Sequence, residues 1–415
     1  MAGDSAPAAS AAVPRRQVSG FWIVVFAFLV VSAFATLPSP LYGLYRTRDD
    51  LSALTITVVY AIFAGGTIAM LLAVPEIGAR IGRRGVMLAA VTTMMAAAAL
   101  LAAWKDLPGL LAGRLLTGVA VGLASGTAIT YLIELGIRKD PSPTAAVRAR
   151  NIGTAVNVGA LGIGPLVAGG LAEWVRLPLT VPYLLVLALG AVALIGLAFA
   201  PETAVLGPRA TTAPGATASP PAARIPVPAV AATLAAFAAN GLFAGLSGLV
   251  LAATFNRPSH ALAGATLFLV FAAGVISQWA TARLHASRAL ALGMFSMIVG
   301  LALLVTSVRL STPNLALFLV SGSLIGAGAG AVFKGTTGLV LEGAAPENRL
   351  ALTSALLIAL FVGLSIPVIG AGVALDQGAT TPDTVLGFAI LVGLAVAASG
   401  WALLGRRPRS SRQAA

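Results

Sequence analysis

Residues 181–200, VPYLLVLALGAVALIGLAFA, contain no charged side chain and one hydroxyl group. Twenty apolar residues in a helix measure about 30 Å, which is the thickness of the hydrocarbon core of a bilayer. Eleven further apolar runs occupy residues 19–37, 51–73, 86–104, 108–132, 151–171, 227–255, 261–282, 290–308, 315–340, 351–375 and 385–404. The sequence therefore predicts an all-α membrane protein with twelve transmembrane helices.

The composition of the chain agrees with this fold class. Of the 415 residues, 58% are hydrophobic and 9% are charged, whereas soluble domains carry about 25% charged residues. The chain contains no Cys, which excludes a disulfide scaffold and a thiol nucleophile. A net charge of +13 raises nucleic acid as a partner, but the basic residues are spread along the chain, so we expect no such partner.

The positions of the basic residues predict the orientation in the membrane. The connections between twelve spans alternate between the two sides, and Lys and Arg prefer the cytoplasmic side. Eighteen of the 26 basic residues fall on the side of both termini, six fall on the other side, and Arg114 and Lys334 lie inside spans. We therefore expect a multi-pass protein of the cytoplasmic membrane with both termini in the cytoplasm. The excess of Arg over Lys indicates a bacterial source.

A polar gap at residues 201–226 divides six spans from six. A shift of about 208 residues superposes three residues of the fourth span on three residues of the tenth. These residues are Gly118, Gly122 and Glu134 in the first half and Gly326, Gly330 and Glu342 in the second. We expect two pseudo-symmetric six-helix bundles at 19–200 and 227–405, a flexible cytoplasmic linker at 201–226, a disordered tail at 1–18 and a basic tail at 406–415.

Polar side chains inside the spans are the candidates for a transport site, because such groups normally face a bundle interior or a water-filled cavity. The candidates for substrate binding or ion coupling are Tyr60, Arg114, Thr117, Asn157, Asn240, Gln278 and Lys334. The third, sixth, ninth and twelfth spans are almost wholly apolar, so we expect them to face lipid. Arg114 and Lys334 lie near span ends, and an extension of either side chain to the membrane interface is the alternative to a substrate role.

Three stretches of the first half resemble motifs of the major facilitator superfamily. The connection Pro75-Glu-Ile-Gly-Ala-Arg-Ile-Gly-Arg-Arg84 resembles the loop signature of that superfamily at Arg80, Gly82, Arg83 and Arg84, although Pro75 and Ala79 replace its first Gly and its Asp. Arg114-Leu-Leu-Thr-Gly118 is similar to a motif of the fourth helix. Gly164-Pro165-Leu-Val-Ala-Gly169-Gly170 on the fifth span resembles a motif of exporters that exchange substrate for protons. Pro201-Glu202-Thr203 also resembles the family, over a shorter stretch.

The resemblance implies a cytoplasmic gating region and close glycine contacts. The gating region comprises Arg80, Gly82, Arg83, Arg84, Glu134, Arg288 and Glu342. Within it we expect Arg83 to pair with Glu134, as the main acidic contact of the loop. The helix-packing and gate residues are Gly118, Gly122, Gly159, Gly164, Pro165 and Gly169. Tight helix packing without a role in export is the alternative for the fifth span.

The function that the resemblance implies is secondary active transport by alternating access, most directly proton-coupled export of small organic compounds or drugs. An uptake or metabolite permease of the same superfamily is the alternative, and a non-transporting receptor or a membrane-embedded enzyme is a remote one. No ATP-binding, metal-ligand or catalytic motif is present in the sequence, so we expect no enzyme, no metal and no cofactor. An ion gradient, expected to be that of protons, must then supply the energy.

The expected partners are a small-molecule substrate and the lipid bilayer, and we expect a monomer. The sequence leaves open the substrate, the direction of transport and the residue that carries the proton. The last point stays open because no Asp or Glu lies in the middle of a predicted span.

Overall fold

The computed structural model describes residues 15–204, 226–345 and 348–405. Within these ranges the chain forms twelve α-helices and one short 3-10 turn, Ser39–Leu41. The helices are α1 (Arg15–Thr36), α2 (Tyr42–Asp49), α3 (Ala53–Ala103), α4 (Leu107–Lys139), α5 (Pro143–Trp174), α6 (Val181–Phe199), α7 (Val227–Phe255), α8 (His260–Ala280), α9 (Ala286–Arg309), α10 (Leu315–Glu342), α11 (Arg349–Asp376) and α12 (Thr381–Leu404). Eleven helical segments of the described residues are long and apolar enough to cross a membrane, so the chain is an all-helical, multi-pass membrane protein.

α3 holds two membrane spans. Its 51 residues would measure about 77 Å as one straight helix, more than twice the hydrocarbon core of a bilayer. Gly82 breaks the helix with a φ of 76° and a ψ of 175°, a left-handed φ that glycine adopts at low cost. With α3 counted as two spans, the described helices make the twelve spans that the sequence predicts. The connection predicted at 75–84 is shorter than expected, because Pro75 lies inside the helix and the chain stays helical up to the break.

Two predicted domain boundaries need correction. α1 begins at Arg15, so residues 15–18, predicted as part of a disordered tail, are helical. Residues 201–204, predicted as part of a flexible linker, are held against the first half by hydrogen bonds of Glu202 and Thr203. The rest of the N-terminal tail, the rest of the linker and the basic tail at 406–415 lie outside the described residues.

The internal repeat is visible in the contacts of its glycines. A Cβ at Gly118 would overlap the main-chain oxygen of Phe63 on α3, and a Cβ at Gly326 would overlap that of Val270 on α8. One turn further on, Gly122 and Gly330 approach the main-chain oxygens of Thr67 and Gly274 in the same way. The residues that the glycines approach are 207 positions apart in both pairs. The fourth and tenth spans therefore pack on the second and eighth spans through equivalent small residues.

The two halves, α1–α6 and α7–α12, meet along α5 against α8 and along α3 against α11. We call the face where α1 begins and α12 ends the terminal face, and the other face the opposite face. α6, α9 and α12 expose large apolar side chains such as Ile195, Phe295 and Trp401, as predicted for lipid-facing helices. α1, α4 and α7 are among the most buried helices and lie at the centre of the bundle.

Candidate transport site and gates

Arg114 on α4 is fully buried inside the first half. Its two terminal guanidinium nitrogens donate hydrogen bonds to the main-chain oxygens of Ala35, over 2.6 Å, and Tyr60, over 3.2 Å. The guanidinium carbon lies 4.7 Å from the ring centre of Phe63 and 5.8 Å from that of Tyr60. Carbonyl oxygens and aromatic faces therefore stabilise the charge, and in this state the side chain does not reach the membrane interface.

Tyr60 connects Arg114 with the second half. A Cβ at Gly245 on α7 would lie 3.4 Å from Cδ1 of Tyr60. Phe63, one turn further along α3, faces Phe361 of α11 with 6.1 Å between the ring centres. The hydroxyl of Tyr60 and Nε of Arg114 are buried and have no hydrogen-bond partner among the described residues. Because partnerless buried polar atoms are uncommon in folded proteins, we treat Tyr60, Phe63 and Arg114, called the Arg114 cluster below, as the candidate substrate site.

Lys334 on α10 does not join the Arg114 cluster. Its ammonium group donates a hydrogen bond to the main-chain oxygen of Thr281, directly after the end of α8. The end of a helix carries a partial negative charge, which favours a cation. The contact holds Lys334 toward the terminal face, as expected if the side chain extends to the membrane interface.

The other four polar candidates form no hydrogen bond with Arg114 among the described residues. Thr117 donates to the main-chain oxygen of Gly113 within its own helix. Asn240 is buried, and its Oδ1 lacks a hydrogen-bond partner in the described part of the chain. Asn157 and Gln278 are half-buried. No hydrogen bond between described residues joins any of these four side chains to the Arg114 cluster.

Small residues bring α5 and α8 together near the opposite face. A Cβ at Gly169 would overlap the main-chain oxygen of His260 and lie 3.2 Å from Cα of Gly264. A Cβ at Gly264 would in turn overlap the main-chain oxygen of Pro165. Gly162, nearer the middle of α5, would place a Cβ 3.1 Å from Cα of Phe268. Pro165 and Gly169, predicted as gate residues, thus lie in the contact between the two halves.

Two carboxylates close the same face in equivalent positions. Glu173, at the end of α5, accepts hydrogen bonds from the main-chain N–H groups of His260, over 2.8 Å, and Ala261, over 3.1 Å, at the start of α8. Asp376, at the end of α11, accepts one from the N–H group of Leu54 at the start of α3, over 3.2 Å. Helix starts carry unpaired N–H groups and a partial positive charge, which suit a carboxylate.

Glu173 joins the fifth span to the eighth, and Asp376 joins the eleventh span to the second. In the repeat, the fifth span is equivalent to the eleventh and the eighth span is equivalent to the second. The carboxylates of Glu173 and Asp376 therefore form a pseudo-symmetric pair. We call this pair, with the α5–α8 contact, the opposite-face gate. This gate was not predicted from the sequence, although an acidic residue stands at the end of each of the two equivalent spans.

The break in α3 is held at the terminal face by Glu202. Its carboxylate accepts hydrogen bonds from the N–H groups of Arg83 and Arg84, each over 3.0 Å, and a Cβ at Gly82 would lie 2.6 Å from its Oε2. The N–H groups of Thr203 and Ala204 donate to the same carboxylate, each over 2.9 Å. Glu202 is thus the main acidic contact of the loop, and the expectation that Glu134 has this role is wrong. The prediction failed because the loop binds the carboxylate through its backbone N–H groups, and a pattern of side chains does not reveal such contacts.

Arg83 and Glu134 do form the expected pair beside this contact. Nε of Arg83 lies 3.5 Å from Oε1 of Glu134, with both side chains about a third exposed. Thr203 donates to the same Glu134 carboxylate, and the Tyr131 hydroxyl donates to the main-chain oxygen of Pro201 over 2.7 Å. The Pro201-Glu202-Thr203 stretch therefore ties the ends of α4 and α6 to the break in α3.

The remaining predicted residues have local contacts. Gly164 packs against α1, where a Cβ would overlap the main-chain oxygen of Ala33. Gly159 lies against Val275, at an ordinary contact distance of 3.5 Å for a Cβ. Arg80 pairs with Glu76 one turn earlier on α3, over 3.3 Å. No side-chain hydrogen bond or ion pair of Arg288 or Glu342 occurs within the described ranges.

The comparisons with known proteins agree with this geometry. The profile of the Major Facilitator Superfamily matches residues 23–366. The chain belongs to the Major Facilitator Superfamily, and it is a transporter rather than an enzyme. No curated protein matches the sequence.

Solved structures of similar fold include the nucleoside transporter NupG. Its crystal structure has a TM-score of 0.69 and 13% sequence identity, and the match covers 95% of this chain and 100% of that one. A single-residue mutant of NupG gives the same score and identity, with coverage of 94% and 99%. At this identity the likeness establishes the fold alone.

Proposed function

We propose that this chain moves a small organic solute across the cell membrane by alternating access, with its terminal face in the cytoplasm. The orientation rests on the Lys and Arg count, which is eighteen on the terminal side against six on the other. Proteins fused after Arg138 and at the C-terminus should then report cytoplasm, and one fused after Arg257 should report the outside.

One observation carries the mechanism. Every hydrogen bond that joins the two halves, among the residues described, lies at the opposite face and involves Glu173, Asp376 or His260. The halves are thus fastened to one another at one side of the membrane. In the proposed orientation this state is closed to the outside, and rocking of the halves about the Arg114 cluster would open it there.

Export in exchange for protons is the form of transport that the α5 motif favours. Pro165 and Gly169 lie in the contact that closes the opposite face, so the motif acts at the gate that an exporter must open to release its solute. The energy would come from the proton gradient, because no ATP-binding motif is present in the sequence.

The substrate class follows from the charge of the Arg114 cluster. Arg114 is a permanent cation, and its Nε has no partner among the described residues. Each of the 13 acidic residues lies at a helix end or outside the predicted middle of a span. A site with this balance favours solutes that carry carboxylate or carbonyl oxygens and repels lipophilic cations.

Uptake is the second candidate, and the fold comparison favours it. The similar structures belong to a protein described as a nucleoside transporter. Nucleosides carry an aromatic base, and most of these bases carry a carbonyl oxygen, which the rings of Tyr60 and Phe63 and the guanidinium of Arg114 could bind.

Flux into proteoliposomes tests both candidates. The purified chain is reconstituted, and the accumulation of labelled nucleosides, organic anions and organic cations is measured under pH gradients of either sign. Exchange with protons requires accumulation when the lumen is acidic, and cotransport with protons requires accumulation when the outside is acidic. A flux equal to that of protein-free liposomes, for every solute and both gradients, would contradict the proposal.

A further inference from the structure

A groove at the terminal face lies where α1, α4 and α5 meet. Its volume is about 180 Å³, and it is lined by Phe21, Trp22, Gly136, Lys139, Asp140, Ala145, Arg148, Ala149 and Ile152. The small residues create the space, because Gly136 has no side chain and a Cβ there would lie 3.1 Å from Cβ of Ala149. The volume equals about six waters at roughly 30 Å³ each, enough for a phosphate and its glycerol.

The groove lies at the level of lipid headgroups. The apolar run of α5 covers residues 151–171, so the first turns of the helix, from Pro143, extend beyond the hydrocarbon core. Trp22 is 54% exposed beside the groove, and tryptophan prefers the membrane interface. Ile137 and Val147, next to the groove residues in sequence, are also exposed apolar side chains. These exposed apolar side chains favour a position of the groove at the membrane interface, beside lipid headgroups.

The charge of the groove is positive. Lys139 and Arg148 form no hydrogen bond or ion pair with any described residue, whereas Asp140 accepts a hydrogen bond from the N–H group of Ser142 over 3.1 Å. The groove also adjoins the start of α5, where the helix dipole is positive. Two cations at a headgroup level, between helices and beside an apolar wall, suit a phosphate that carries acyl chains.

We propose that this groove binds an anionic phospholipid of the leaflet at the terminal face. The phosphate lies between Lys139 and Arg148, and an acyl chain runs down along Trp22 and Ile152. The lipid joins α1 to the connection between α4 and α5. Helix α5 begins at this connection and carries the opposite-face gate at its other end. Only the assignment of this leaflet to the cytoplasmic side of the membrane rests on the proposed function.

Thermal unfolding of the purified chain in neutral detergent tests the proposal. Phosphatidylglycerol is titrated, and the rise of the unfolding midpoint gives an apparent affinity. Each basic residue near an anionic lipid contributes about a factor of five, so Lys139→Gln with Arg148→Gln should weaken this affinity about 30-fold. The control variant, Arg283→Gln with Arg349→Gln, removes two exposed basic residues of the second half at the terminal face and should behave like the wild type.

Three outcomes would overturn the proposal. The first is an equal affinity for phosphatidylglycerol in the wild type and in the Lys139→Gln, Arg148→Gln variant. The second is a rise of the unfolding midpoint with phosphatidylcholine of the same chains that equals the rise with phosphatidylglycerol. The third is an equal rise with glycerol 3-phosphate at matched concentration. The last would assign the groove to a free phosphate. The assay involves no transport, so it can fail while the proposed function stands, and the flux assay can fail while lipid binding stands.

Discussion

A larger side chain at Gly169 should open the opposite-face gate. A Cβ at this position would overlap the main-chain oxygen of His260 and lie 3.1 Å from its carbonyl carbon, so Gly169→Val can be accommodated only if α5 and α8 separate. The adjacent Gly170 points elsewhere, since a Cβ there would meet only the Trp174 side chain at 3.7 Å. Gly170→Val is therefore the matched control on the same helix.

The expected magnitude follows from the cost of overpacking. Inserting atoms into a packed contact costs about 1–3 kcal/mol, and this cost falls on the closed state alone. The equilibrium between closed and open states should then shift about 5–150-fold toward the state open at the opposite face.

The assay uses the absence of native cysteine from the chain. Thr57 is fully buried in the α3–α11 contact, where a Cβ at Gly372 would lie 3.0 Å from its Cγ2. Thr57→Cys should react with a membrane-impermeant maleimide about 5–150-fold faster in the Gly169→Val background than in the Gly170→Val background. Because α3 and α11 are distant in sequence from Gly169, equal rates would refute the view that the halves move as rigid bodies about one gate.

Three further variants test the other parts of the site. Glu202→Ala removes the acceptor of four main-chain N–H groups and should lower stability by about 1–3 kcal/mol, whereas Glu342→Ala should lower the unfolding midpoint little. Arg114→Lys should abolish most flux at normal membrane levels, because one ammonium cannot donate to Ala35 and Tyr60 as the guanidinium does; full flux would make Arg114 a packing residue. Lys334→Gln can still donate to Thr281 and should preserve the selectivity of transport between anions and cations. A changed selectivity would show that Lys334 contributes to substrate binding.

The spans and the repeat are predictable from the sequence because the bilayer imposes them. A helix in hydrocarbon must be apolar for about 20 residues, and this requirement marks the twelve runs with little ambiguity. The matched glycines Gly118 and Gly326 were visible for a similar reason, since close helix approach requires small residues at fixed spacing.

The gates were not predictable in the same way. Glu202, Glu173 and Asp376 each bind main-chain N–H groups, and every residue except proline has such a group. A pattern of side chains therefore cannot identify the partner. The 3-10 turn at Ser39–Leu41 and α2 were missed because they are short and lie at the end of the bundle, where no apolar run is needed.

The distances across the two faces test the central claim of alternating access most directly. Spin labels at Leu177→Cys and Ala379→Cys report the opposite face, and labels at Pro141→Cys and Ala282→Cys report the terminal face, with one label of each pair in each half. On introduction of Gly169→Val, we predict that the opposite-face distance lengthens while the terminal-face distance shortens. A longer opposite-face distance with an unchanged or longer terminal-face distance would contradict the account.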